Sequence, residues 1–353
     1  MNTNEKYIQR CIDLAKNGLG TTYPNPMVGS VIVYNGKIIG EGWHKKAGEG
    51  HAEVNAVNSV NDKSLLSKAT IYVSLEPCSH YGKTPPCCDL IIQNKIPNVV
   101  IGTIDPNNKV AGKGIQRLID AGTNVTVGVL EAECNELNKR FFTFHQKKRP
   151  YIILKWAETQ DGFIAPILRQ AQDDIKERKP VWITSKYSRQ LVHKWRSEEQ
   201  AILVGTQTVI DDNPKLDVRD WTGKSPIRIV LDKNNRIPKN SNIFKNQIKT
   251  IIICESNTEK NSENCIFESI DFGKEISSQI SKLLYKHEIQ SVIIEGGRQT
   301  LQTFIDNKLW DEALVFTGKS IFKQGTQAPI LKHSCFDKQQ INQDELKIYK
   351  NHD

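Results

Sequence analysis

His51-Ala52-Glu53, Pro77-Cys78 and Cys87 follow one another in that order, with eight residues between the two cysteines. Thr70–Leu75, just before Pro77, reads as a buried strand, and Pro86–Gln93 reads as a helix with Pro86 where proline is favoured. One imidazole and two thiolates give a zinc ion three ligands and leave its fourth tetrahedral position to water, the arrangement of a catalytic site. The two thiolates cancel the metal charge, and a water held there has its pKa lowered toward about 7, so that it supplies a hydroxide nucleophile. Glu53, two residues from a ligand, need not bind metal. Its carboxylate suits the acid/base work of a zinc deaminase, taking a proton from water and handing it to a ring nitrogen and the leaving amine. His51 and Cys87 each begin a predicted helix, where thiolate is favoured over thiol.

Taken singly these residues are ordinary, since His51 is one of eight histidines and buried cysteines pack as small hydrophobes. Their order and spacing set them apart. A closed structural site completed by Cys88 is the other reading. Adjacent helical residues point about 100° apart, which keeps Cys87 and Cys88 from one ion. Cys88 is therefore expected in the buried helix face. His80, in a polar loop, fits contact with substrate or with a metal ligand, set against simple exposure.

Strands and helices alternate along the whole chain. Val28–Val33, an Asn35-Gly36 hairpin turn and Lys37–Trp43 come first. After the helix at His51 and the strand at Thr70–Leu75, further strands are predicted at Val99–Ile104 and Val125–Leu130, with a helix at Gly114–Ala121 between them. A last helix through Leu137 and Phe141 meets Gln146-Lys147-Lys148-Arg149-Pro150, a charged, proline-ended stretch taken as the boundary between domains 1–147 and 148–353. The second half predicts strands at Tyr151–Trp156, Ala201–Val204, Ile227–Leu231, Thr250–Cys254, Ser291–Ile294 and Glu312–Phe316. Helices are predicted around Ser188–Arg196, Ile276–Tyr285 and Gln299–Ile305. Two α/β domains are expected, as a length of 353 residues implies. The polar stretch Ile167–Lys179 interrupts this pattern.

The net charge of +8 is spread without a basic cluster, which suits anionic small molecules and argues against nucleic acid. The eight cysteines form no disulfide framework, and no apolar stretch approaches the roughly 18 residues of a membrane span. A cytoplasmic protein is expected, with no membrane partner, acting as a homo-oligomer.

Pro24-Asn25-Pro26-Met27-Val28-Gly29, His51-Ala52-Glu53 and Glu76-Pro77-Cys78-Ser79-His80-Tyr81-Gly82-Lys83-Thr84-Pro85-Pro86-Cys87 closely resemble the bifunctional riboflavin biosynthesis deaminase/reductase family. The long loop between the cysteines separates that family from ordinary cytidine and tRNA adenosine deaminases. The resemblance implies a cytidine-deaminase-like three-layer α/β/α domain with one zinc per chain, held by His51, Cys78 and Cys87. It further implies a phosphorylated pyrimidine substrate that loses its 2-amino group, with Asn25 and the His80 loop lining the pocket.

In the second half no Gly-x-Gly-x-x-Gly follows a strand, so a Rossmann cofactor site is unsupported. Instead strand Ser291–Ile294 runs through Glu295-Gly296-Gly297 directly into a helix, a turn at which backbone N–H groups can approach a diphosphate. The resemblance continues through Lys155, Asp161-Gly162, Trp182-Ile183-Thr184, Arg196, Thr208, Asp211-Asp212-Asn213-Pro214, Leu216, Arg219 and Pro226-Ile227-Arg228. It implies a dihydrofolate-reductase-like α/β domain that uses NADPH to deliver hydride to C1 of the ribosyl group. Carried over, Ala157, Trp182, Thr208, Asp212, Gly297, Arg298, Gln299, Thr300 and Leu301 contact the cofactor; Arg196, Leu216, Arg219 and Glu295 contact substrate. Arginine forks match the oxygens of a substrate phosphate. Lys155, a lysine on a buried strand, is expected to polarise the reacting centre with Asp212 as its polar partner. The chain departs from the family at Pro180, which stands where a hydroxyl residue usually contacts substrate. A zinc deaminase for another base and a non-catalytic zinc scaffold are the competing classes.

Overall fold

Asn35 and Gly36 both adopt positive φ, 48° and 72°, and close the hairpin between β1 (Gly29–Tyr34) and β2 (Lys37–Trp43). The computed structural model describes residues 1–81, 85–106, 111–166, 181–245, 247–256 and 261–351. Pro180, the Ile167–Lys179 stretch and Gly82-Lys83-Thr84 lie outside the described residues. The chain divides into two units, Met1–Lys148 and Arg149–Asp353.

In the first unit β3 (Thr70–Leu75), β4 (Asn98–Thr103) and β5 (Asn124–Val127) complete a sheet of order β2-β1-β3-β4-β5. Strands β3, β4 and β5 are parallel, whereas β1 runs antiparallel to both neighbours. Side chains alternate across the sheet. Val31, Val33, Tyr72 and Val100 pack with Tyr7, Ile8, Cys11 and Ile12 of α1 (Thr3–Ala15). Ile32, Ile71, Val73 and Ile101 meet the opposite layer. That layer is α2 (Ala52–Ser59), α3 (Cys87–Gln93) and α4 (Lys113–Asp120). A strand buried on both faces must be apolar at successive positions, which is why these segments read as continuous runs.

Two expectations shift here. The strand expected to reach Leu130 ends at Val127, and Leu130, at φ 52°, opens α5 (Glu131–Leu137). The single helix expected through Leu137 and Phe141 is two, because Asn138 breaks it before α6 (Lys139–Lys147). The buried Asn138 amide bonds both the N–H and the C=O of Met27, at 2.9 and 2.8 Å.

The second unit opens with β6 (Tyr151–Glu158) and β7 (Phe163–Pro166), followed by α7 (Lys186–Glu198), β8 (Ala201–Gly205) and α8 (Thr206–Asp212). Then come β9 (Ile227–Leu231), β10 (Thr250–Cys254), β11 (Cys265–Ser269), α9 (Ile276–Lys286), β12 (Ser291–Ile294) and α10 (Arg298–Asp306). The last elements are β13 (Glu312–Thr317), β14 (Gly325–Gln327), β15 (Asp337–Ile341) and β16 (Asp344–Lys350). Nine strands form one sheet of order β11-β10-β9-β8-β12-β6-β13-β16-β15, parallel up to β13 and antiparallel at β16 and β15. One face packs on Ile280, Leu284, Leu301 and Phe304 of α9 and α10, the other on Val192 of α7 and Val209 of α8. Strands β8, β12 and β6 lie side by side with their carboxyl ends together, where open α/β sheets place their ligands.

Candidate active sites

His51 is the N-cap of α2 and Cys87 the first residue of α3, while Cys78 follows β3. The His51 side chain makes no capping bond to its own helix, which leaves the imidazole to turn elsewhere. Its Nδ1 lies 3.5 Å from Cys78 Sγ and 3.3 Å from Cys87 Sγ, and one ligand atom from each residue falls within 4.8 Å of the others. The Cys87 backbone N–H points at Cys78 Sγ from 3.3 Å. The Cys78 thiol is pulled down to about 4, first by the Cys87 hydrogen bond and then by His51. A nitrogen and two sulfurs at this separation fit zinc, whose charge favours thiolate at both cysteines. Cys88 faces away, its Sγ bonded to the carbonyls of Pro77 and Gly114, with burial pushing its thiol up to about 12.

Glu53 is 3% exposed, and burial raises its carboxyl. The pocket beside it is lined by Asn25, Pro26, Val28, His44, His51, Glu53, Leu75, Glu76, Cys78 and Asp105. His80 is exposed and stands outside that lining.

Three polar lining residues, His44, Glu76 and Asp105, have no role in the sequence analysis. The His44 Nδ1 lies 3.2 Å from the Gly50 carbonyl, which only accepts, so Nδ1 carries the proton and Nε2 accepts from Asn25 Nδ2 at 3.1 Å. That bond turns the Asn25 amide oxygen away from His44. Glu76 accepts from the backbone N–H groups of Asp105, Gly112, Gly114 and Ile115, tying the pocket wall to the start of α4. Glu76 stood inside the Glu76-Pro77-Cys78 motif. His44 and Asp105 carried no local signal, because their neighbours in the pocket come from distant segments.

In the second unit Lys155 of β6, Arg196 of α7 and Glu295 after β12 meet. Arg196 holds both Glu295 oxygens, at 2.8 and 2.7 Å, and Lys155 Nζ lies 3.7 Å from Oε2. Burial alone would raise the Glu295 carboxyl, but Arg196 and then Lys155 outweigh it and bring it down to about 2. Burial lowers the Lys155 ammonium. The expected partner of Lys155 is thereby corrected: the ion pair is with Glu295, and Asp212 sits exposed at the end of α8. Strand pairing explains why, since Ile294 lies opposite Leu154 and so sets Glu295 level with Lys155.

Gly297 takes φ 64°, and a Cβ there would stand 3.7 Å from Thr208 Oγ1 and 3.9 Å from Thr300 Oγ1. The start of α10, with Arg298, Gln299, Thr300 and Leu301, is thus brought beside Thr208 of α8. A Cβ on Gly296 would lie 2.8 Å from Val204 Cα, so only glycine lets this turn settle on β8. Ala157 is half-buried on β6. Trp182 is 56% exposed, with the Arg189 guanidinium 4.4 Å from its ring centre. Leu216, buried at φ 51°, follows Asn213 and precedes Asp217, whose carbonyl accepts from Arg196 at 3.4 Å. Arg219 is exposed and paired with Asp217 at 2.9 Å.

Fold and sites define a zinc deaminase domain joined to a reductase domain in one chain. The cytidine and deoxycytidylate deaminase zinc-binding region matches residues 1–103, and the RibD C-terminal domain matches residues 150–333. The riboflavin biosynthesis protein RibD of Aquifex aeolicus is 42% identical over 91% of this chain and 88% of its own length. That of Escherichia coli is 34% identical over 89% and 87%. A Thermotoga maritima crystal structure, described as a diaminohydroxyphosphoribosylaminopyrimidine deaminase/5-amino-6-(5-phosphoribosylamino)uracil reductase, superposes with a TM-score of 0.87 at 36% identity. It covers 99% of this chain and 98% of its own. The chain belongs to the RibD family, the bifunctional deaminase/reductases of riboflavin biosynthesis, which use zinc and NADPH. Among the described residues no helix is long and apolar enough to cross a membrane.

Proposed function

We propose that the first unit hydrolyses the 2-amino group from 2,5-diamino-6-(5-phosphoribosylamino)pyrimidin-4-one. The second unit then reduces the ribosyl group of 5-amino-6-(5-phosphoribosylamino)uracil to ribityl. The deaminase is assigned to residues 1–147 and the reductase to 148–353, a division supported by the two units of the fold. The convergence of His51, Cys78 and Cys87 beside the buried Glu53 carries this reading. The likeness to the Thermotoga protein, described as a deaminase and reductase for these compounds, supports the choice of substrate.

Zinc held by His51, Cys78 and Cys87 supplies Lewis acidity that lowers the pKa of a water toward about 7. Glu53 takes one proton from the attacking water to the pyrimidine ring nitrogen. It then carries the second, from the hydroxyl newly bonded to C2, to the amine nitrogen, which departs as ammonia while C2 becomes a carbonyl. Asn25, oriented by His44, and His80 are assigned to this substrate. NADPH supplies the hydride in the second unit. Ala157, Trp182, Thr208, Asp212 and the segment from Gly297 to Leu301 are assigned to holding it, supported by the glycine-permitted turn at a helix start. Lys155 presents its ammonium to the reacting ribosyl group. Glu295, Arg196, Leu216 and Arg219 hold the substrate, the first two as one ion pair.

We also assign the protein to the cytoplasm, as a homo-oligomer without nucleic-acid or membrane partners. The unclustered charge and the free cysteines favour this, and light scattering reads out the assembly. The test of the whole is incubation with the diaminopyrimidine ribosyl phosphate, with and without NADPH. Ammonia release is expected in both cases, and NADPH oxidation only after it. Absence of ammonia from zinc-replete protein would overturn the reading.

A further inference from the structure

The hairpin of β15 and β16 begins after the last residue matched by the RibD C-terminal domain, yet it reaches the start of α7. Asp344, the first residue of β16, is fully buried. Its Oδ2 accepts the backbone N–H of Ser185 at 2.8 Å and the hydroxyl of Ser188 at 2.6 Å. Ser185 is the N-cap of α7, so a carboxylate at this point also meets the positive end of the helix dipole. The second oxygen, Oδ1, is buried and has no hydrogen-bond partner among the described residues. A carboxylate kept in such a place at a desolvation cost is held by what its other oxygen secures.

What it secures is the corner that runs from Trp182 into α7. A Cβ on Gly318, just past β13, would stand 2.1 Å from the Ile183 carbonyl oxygen, so the Ile183 backbone lies directly on that glycine. Ile183 is thus seated from one side and Ser185 is tied two residues later. Arg189, one turn into the same helix, stacks on the Trp182 ring. The far end of α7 is fixed independently by the Arg196–Glu295 pair. The indole itself is 56% exposed beside the Arg189 guanidinium, and its direction depends on a backbone held at Ile183 and Ser185.

We infer that Asp344 is a positioning residue of the reductase, holding the Trp182–Ser185 corner in the orientation that receives NADPH. This rests on the assignment of Trp182 to the cofactor. Losing the anchor leaves Lys155, Arg196 and Glu295 in place but lets Trp182 and its corner wander, which weakens cofactor binding more than turnover at saturation.

The experiment titrates NADPH fluorescence with the full-length protein to give a Kd, and measures KM for NADPH and kcat with deaminated intermediate supplied. Asp344→Ala and Ser188→Ala are expected to raise Kd and KM, Asp344→Ala on the order of tenfold, with kcat changed much less. Asp344→Asn keeps an oxygen for the same two donors and is expected to restore both values. A merely structural role predicts a lower melting temperature and a smaller active fraction with Kd and KM unchanged in Asp344→Ala, and that result overturns the inference. So does Asp344→Asn behaving like Asp344→Ala. Trp182→Ala separates the two levels: if it leaves Kd unchanged, the cofactor assignment fails and takes the inference with it. If Trp182→Ala raises Kd while Asp344→Ala and Ser188→Ala do not, the inference alone fails.

Discussion

Glu53→Gln leaves the His51, Cys78 and Cys87 ligand atoms in place and removes the proton carrier. Zinc content is expected to stay at the wild-type level while deamination falls by about 10²–10⁴. Metal analysis beside an ammonia assay checks both halves of that statement. The two neighbouring cysteines make a sharper contrast, because Cys87 faces His51 while Cys88 faces the carbonyls of Pro77 and Gly114. Cys87→Ser should strip zinc and Cys88→Ser should retain it; the reverse would move the ligand by one residue. In the reductase, Glu295 is held at about 2 against an ordinary 4.5. A depressed carboxyl contributes stability that is present above the ordinary value and is lost as pH falls through the depressed one. The second unit should therefore lose stability between about pH 4.5 and 2, with a shallower slope in Glu295→Gln. Glu295→Ala strands two mostly buried cations and should cost up to about 3–5 kcal/mol, read by denaturant titration. The ligands and Glu53 were legible because their order and spacing are local. The partner of Lys155 was not, because Glu295 lies in a distant segment and reaches it only through the pairing of β12 with β6.

The turn from β12 into α10 shows how two glycines let the end of one element settle against its neighbours. Gly296 lies on Val204 and Gly297 needs its positive φ, so neither position tolerates a side chain at no cost. Gly296→Val is expected to push the start of α10 away from Thr208, costing about 1–3 kcal/mol in overpacking and weakening NADPH binding on the order of tenfold. Fluorescence titration of NADPH measures it, and an unchanged Kd would remove this turn from the cofactor site. The sequence pattern located β12 and α10 because a buried apolar strand, two glycines and a helical period follow one another directly. It did not show β7, β11, β14, β15 or β16. The outermost strands, β11 and β15, have one neighbour each, and β15, with its Asp337-Lys338-Gln339-Gln340, is nearly all exposed, so neither an apolar run nor a clean alternation marks it. That hairpin nevertheless carries Asp344.

Two units with separate cores and separate chemical groups should fail separately. Lys155→Ala is expected to abolish NADPH oxidation while leaving zinc content and deamination nearly intact. Chelating the zinc should do the opposite, stopping ammonia release while supplied deaminated intermediate is still reduced. Coupled activity measurements on one preparation test this, and NADPH oxidation at the wild-type rate by Lys155→Ala would leave β6 without a role in hydride transfer. The alternation of strands and helices, the division into two α/β halves and the grouping of His51, Cys78 and Cys87 as a set that could hold a metal were legible in the amino-acid sequence alone. Periodicity and short-range spacing are properties of the chain itself, and burial on both faces of a sheet writes itself into successive residues. The tertiary structure decided what stands opposite what: His44 against Asn25, Glu76 against the start of α4, Glu295 between Lys155 and Arg196, and Asp344 beneath α7. Each of these pairings joins residues separated by other elements, and a polar side chain leaves no local mark of the partner that folding will bring to it.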